Sequence, residues 1–178
     1  MWFSLAVYTS KSMKKKGFTF IELMISISIM AVLGVLATAG FSNYNQIQVL
    51  QTSSNDIITM LNEAKSRAQS QVKLGTICSD SLKTLTDYRV DISQPKSYSL
   101  NVDCQDSGLN NFSDLLETKN LPQNVNFDST SSPSFSFPVL SGGVEGSSGS
   151  GPWTITVSSS DGKTRTITIS ALGGINAQ

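Results

Sequence analysis

A chain of 178 residues with no histidine and only two cysteines lacks the commonest general base and the commonest metal ligand, which weighs against hydrolase and zinc chemistry. Its 13 basic and 13 acidic side chains cancel, but Lys11, Lys14, Lys15 and Lys16 all precede Phe18 while every acidic residue follows it. Beyond Gly17 nine basic groups face thirteen acidic ones, a charge of about −4 that argues against broad attraction to nucleic acid and leaves room only for a local patch.

The first predicted element is a long apolar helix. From Leu23 to Phe41 the run LMISISIMAVLGVLATAGF has no charged residue, and Lys14-Lys15-Lys16 stands before it. At about 1.5 Å per residue, a helix over 18–41 reaches roughly 36 Å, against a hydrocarbon core of about 30 Å. The lysines are expected to stay cytoplasmic while the remainder crosses outward. An ordinary secretory signal, cut after the apolar stretch near Ala37-Thr38-Ala39, is the other reading. It gives no role to Glu22, a carboxylate in apolar surroundings that needs a partner or a proton.

The contiguous run Lys14-Lys15-Lys16-Gly17-Phe18-Thr19-Phe20-Ile21-Glu22-Leu23-Met24 resembles the leader and cleavage motif of type IV pilins and type II secretion pseudopilins. That resemblance implies a prepilin peptidase that cuts between Gly17 and Phe18 and methylates the new N-terminus at Phe18. It also makes Glu22 the fifth residue of the mature chain and an assembly residue. The physical sense is charge pairing: a neighbour's Glu22 neutralises the amine at Phe18 inside an apolar bundle, and loss of either partner strands a buried charge. The alternative role for Glu22 is to mark the helix start. Met13 offers a second start giving the compact leader Met13–Gly17, so residues 1–12 are a candidate start-site artefact. Ala39 stands where many major pilins have proline, which removes the expected cause of local helix melting there.

After Phe41 the chain turns polar, yet Ile47, Leu50, Ser54, Ile57 or Ile58, Leu61, Ala64, Ala68 and Val72 recur in steps of three and four. The spacing predicts one helix from about Phe20 to Lys73, stopped near Gly75, with its second half amphipathic against a head. Period-two alternation predicts strands at Tyr88–Ile92, Tyr98–Val102 and Phe135–Val139, and a hairpin of Trp153–Ser159 with Lys163–Ser170 turning at Asp161-Gly162. The run SGGVEGSSGSG over 141–151 is too poor in apolar groups to pack and reads as a mobile loop, either a spacer or a partner-binding loop. Cys78 and Cys104 lie in the polar part, where export makes a disulfide the default and two buried thiols the alternative. The expected fold is α+β: a leader over 1–17, a transmembrane and assembly half-helix over 18–41, an amphipathic half over 42–75, and a β-rich head over 76–178 with two sheets packed on one helix. This head resembles that of the minor pseudopilin H type and its pilus counterparts, with Arg165-Thr166-Ile167-Thr168-Ile169 and Gly173-Gly174 fitting the closing strand of that family.

No catalytic constellation stands out. The glycines between 142 and 151 lie between strands without a lysine, so they form no phosphate loop, and the serines have no histidine to activate them. Asp103 and Asp106 flank Cys104 and read as a turn, with calcium as the alternative. The chain is therefore expected to be no enzyme, to hold no metal or cofactor, and to work by assembly. What the resemblance implies is a minor pilin or pseudopilin that meets prepilin peptidase, other pilin subunits and inner-membrane lipid, with its head in the periplasm and later in a filament. Two further readings stand beside it. One is a DNA-binding tip subunit using Lys163 and Arg165, two apart on the last hairpin; the other is an anchored periplasmic protein that never polymerises.

Overall fold

The computed structural model describes residues 17–146 and 151–178, the side chains of residues 36–43 excepted. Residues 1–16 of the expected leader over 1–17, with its four lysines and the alternative start at Met13, lie outside the described residues. Two compact units divide the chain, Met1–Ser42 and Asn43–Gln178. The single described helix, α1 (Phe20–Ser70), contributes residues to both.

In the second unit α1 follows the expected stripe. Leu50, Ser54, Ile57, Leu61, Ala64 and Ala68 are buried, joined by Met60 and Ser53, whereas Ile47 and Val72 at the two ends of the stripe are exposed. Two serines tolerate burial because their hydroxyls donate back along the helix, Ser53 to the Val49 carbonyl and Ser54 to the Leu50 carbonyl. The helix stops at Ser70, three residues earlier than the spacing predicts, where Gln71 adopts a left-handed conformation. Gly75, at φ +91°, comes later, in the connection to the first strand.

Among the described residues nine strands follow: β1 (Thr84–Ser93), β2 (Ser97–Gln105), β3 (Asn111–Asn120), β4 (Val125–Phe127), β5 (Ser134–Pro138), β6 (Glu145–Gly146), β7 (Trp153–Ser159), β8 (Thr164–Ile169) and β9 (Ile175–Ala177). They form two antiparallel sheets, ordered β3-β2-β1-β5-β6 and β4-β7-β8-β9. Both sheets and the helix stripe share one core, in which Tyr88, Val90, Leu100 and Val102 of the first sheet, Ile155, Val157, Ile167 and Ile169 of the second, and Phe135 and Phe137 are fully buried. An α+β fold with one helix packed on antiparallel sheets is the architecture observed.

Where structure and expectation differ, the reasons are local. β3 carries Leu115 and Leu116 side by side because the pairing with β2 shifts register between Leu100 and Asn101, leaving an extra residue that breaks the period-two pattern. β4, β6 and β9 have three, two and three residues, too short to alternate visibly. The closing strand is thus β9, one turn after the Arg165–Ile169 segment. The 141–151 run does not stay apart from the core as expected: Val144 is buried and Glu145-Gly146 pairs with Phe135 and Ser136. Gly146 permits this because a Cβ there would run into the Trp153 indole; residues 147–150 lie outside the described residues. The β7–β8 turn uses a four-residue connection, 160–163, in which only Gly162 has positive φ, +83°, and its N–H donates to the Ser159 carbonyl at 3.0 Å.

Candidate processing and assembly site

In the first unit, α1 opens with a reciprocal cap. Thr19 precedes the first helical residue, and its hydroxyl accepts from the Glu22 N–H at 3.3 Å. The Glu22 carboxylate in turn accepts from the Thr19 N–H at 3.3 Å and the Thr19 hydroxyl at 3.2 Å. This Thr-x-x-Glu box satisfies two donors that the helix start leaves without partners. It also bends Glu22 back toward Phe18, the residue before the cap. The three-residue spacing of Thr19 from Glu22 is the signal that marks it as half of a capping box.

Gly17 sits in open space, since a Cβ built there meets nothing within 4 Å. Packing among the described residues therefore supplies no demand for glycine at this position. Phe18 is 82 % exposed, and Phe20, Ile21, Leu23, Met24, Ile25, Ile27, Ile29, Met30, Val32, Leu33 and Val35 are exposed as well. These residues occupy every side of the helix. Ser26 and Ser28 donate to the Glu22 and Met24 carbonyls at 2.7 and 2.8 Å, so their hydroxyls ask nothing of the surroundings. Among the described residues no helix is long and apolar enough to cross a membrane. The apolar run continues through residues 36–41, Ala39 included, whose side chains lie outside the described residues.

The head holds the other expected positions. Cys78 and Cys104 are joined, with Cα atoms 5.6 Å apart, and both are fully buried. Beside them, Asp114 of β3 accepts from the Cys78 N–H at 3.0 Å, from the Ile77 N–H, and from the Thr76 hydroxyl. A Cβ on Gly75 would strike this carboxylate at 2.5 Å. Nothing in the sequence marked Asp114 out, because its partners lie 36 to 38 residues away. Burial pushes its pKa up, but the donated hydrogen bonds outweigh that and hold it below the usual carboxylate range. A carboxyl with a lowered folded-state pKa stabilises above its unfolded pKa, and that contribution is lost as pH falls through the folded value. Asp114→Asn is therefore expected to lower Tm at neutral pH and to lose less Tm than the parent on acidification below about pH 4, measured by thermal melts across pH.

Lys163 and Arg165 line one groove of the head. Lys163 pairs with Asp161 at 3.1 Å, and the Arg165 Nε is buried without a hydrogen-bond partner. The other cations are dispersed: Arg67 meets Glu63, Arg89 meets Asp91 and Asp103, Lys119 meets Glu117, Lys65 donates to the Gly173 carbonyl, and Lys83 lies over the Phe112 ring. A cleft of about 370 Å³ on the first sheet contains Asp87, Arg89 and Asp103. Asp87 has its pKa raised by burial and accepts from the Ser136 hydroxyl. Asp103 and Asp106 point their charge to different ends: Asp103 to Arg89 at 2.8 Å, and Asp106 to the N–H groups of Gly108 and Asn110 at 2.8 and 2.9 Å, closing the β2–β3 turn. Among the described residues no group of three acidic, cysteine or histidine side chains could hold a metal.

No curated protein and no solved structure matches the chain. Residues 12–38 match the family described as the prokaryotic N-terminal methylation motif, a stretch that contains Gly17, Phe18, the Thr19–Glu22 cap and most of the apolar run. The chain thus carries the N-terminal signature of a type IV pilin-like substrate of prepilin peptidase.

Proposed function

We propose that this chain is a minor pilin or pseudopilin: a subunit cut after Gly17, methylated at Phe18, held in the inner membrane by its apolar helix, and then packed into or priming a type IV pilus or secretion pseudopilus. The observation that carries the reading is the first half of α1, apolar on every side and uncovered from Phe20 to Val35. A helix hydrophobic all round is stable only when lipid or other apolar helices surround it. The methylation motif at its start supplies the processing step. In this reading the subunit performs no catalysis, and its head, closed by the Cys78–Cys104 bridge, is suited to an oxidising compartment. The same helix could serve an anchored protein that never polymerises; that reading gives Glu22 no task beyond its cap. Clustered cations, which a DNA-uptake tip needs, are sparse on the head.

The test is intact-mass and N-terminal analysis of the protein from native membranes. A chain beginning at methylated Phe18 is the expected result. An uncut leader, or a new terminus near Ala39, would remove the processing step and with it the proposal.

A further inference from the structure

The second unit has a groove of about 320 Å³ lined by Ile47, Leu50, Lys163, Thr164, Arg165 and Gln178. Its character is divided. Leu50 is buried at the floor and Ile47 is 43 % exposed, so one side offers apolar surface. The other side comes from the β7–β8 hairpin, where Arg165 pairs with Val157 and Lys163 precedes the first residue of β8. The Arg165 Nε is buried and lacks an acceptor, an arrangement that a buried donor does not tolerate without cost. Lys163 holds Asp161 at 3.1 Å, with about a third of each side chain exposed. Such a pair contributes little in water, and a better acceptor can displace it.

Two cations beside an apolar wall suit a ligand that is anionic at one end and apolar at the other. A free phosphate or a nucleic-acid backbone would use the cations and leave Ile47 and Leu50 idle. Covalent geometry adds a constraint. Six chain steps join Phe41, the end of the apolar run, to Ile47, and they span roughly 20 Å at most. Between them Tyr44 is exposed, a residue type enriched at membrane–water interfaces. We infer that this groove binds the headgroup of an anionic membrane phospholipid. Arg165 and Lys163 donate to the phosphate oxygens, while Ile47 and Leu50 receive the glycerol and first acyl carbons. The inference rests on the proposal above that the apolar helix enters the bilayer.

The experiment uses the full chain in phosphatidylcholine nanodiscs with and without phosphatidylglycerol, followed by native mass spectrometry of retained lipid. Insertion into pure phosphatidylcholine tests the underlying membrane reading by itself, and failure to insert overturns both. In inserted protein, the parent is expected to retain phosphatidylglycerol preferentially. Lys163→Gln and Arg165→Gln should each cut that preference roughly fivefold, as the loss of one cation near an anionic surface implies. Asp161→Asn, which removes the competing carboxylate, should raise it. No preference in the inserted parent, or a preference indifferent to all three changes, would overturn the inference. So would displacement of the lipid by inorganic phosphate or by a short DNA duplex, which would assign the groove to those anions instead.

Discussion

Glu22→Ala is expected to be inserted and cleaved normally and to drop out of filaments by about a hundredfold or more, because an amine at Phe18 of a neighbouring subunit would be left buried and uncompensated. The capping box complicates this substitution, since alanine also removes the acceptor for the Thr19 N–H and hydroxyl. Two companions separate the effects. Thr19→Ala removes the hydroxyl that the Glu22 N–H donates to, and is expected to cost only about 1 kcal/mol of helix stability with assembly largely retained. Glu22→Gln keeps a side chain that can still close the box, because glutamine serves at that position as well as glutamate does, but it cannot neutralise an amine. Quantifying subunits in sheared filaments against membrane-resident, processed protein reads the outcome. If Glu22→Gln assembles like the parent, the carboxylate serves the helix start alone and the charge-pairing account of assembly fails; absence of the parent itself from filaments would favour the anchored, non-polymerising reading.

The second large effect belongs to the head. Removing the Cys78–Cys104 bridge as a double serine variant is expected to cost about 3.5 kcal/mol, the chain-entropy value for a loop of this length, with a cysteine separation of 26 residues. For a unit of this size that corresponds to a fall in Tm of roughly 10 °C. The bridge ties the connection after α1 to β2, and Asp114 from the neighbouring β3 grips the same connection through the Ile77 and Cys78 N–H groups. The two constraints act on one segment, so their losses should not add independently. Thermal melts of the bridged protein, the double serine variant and that variant carrying Asp114→Asn would show the coupling. Equal Tm values for the bridged and double serine proteins would mean that Asp114 and the core hold this segment without the bridge.

The proposed site was largely legible in the sequence because its information is local. Gly17, Phe18 and Glu22 lie within six consecutive residues, and the processing motif can be read before any fold exists. The α1 stripe was legible from Leu50 to Ala68 for a similar reason: a helix repeats every 3.6 residues, so its buried face is written in spacing alone. β7 was found with both boundaries, since Trp153, Ile155 and Val157 all turn inward while the threonines between them do not. Thr19 could have been read by the same kind of spacing, three residues before Glu22.

What the sequence by itself determined is therefore the set of short-range features: the N-terminal methylation motif, the apolar run, the helical stripe and the strongly alternating strands. Tertiary structure decided the rest. β3 is a strand because β2 offers it a pairing edge, and the bulge at Leu116 scrambles the alternation that would have revealed it. β4, β6 and β9 exist only as additions to sheets already formed, since two or three residues cannot hold an extended conformation alone. Asp114 gained its role from N–H groups more than thirty residues away, and the apolar wall beside Arg165 comes from a helix residue more than a hundred positions earlier. Periodicity encodes which face of an element is apolar. It does not encode which distant groups that face will meet, because that depends on how the helix and both sheets fill one shared core.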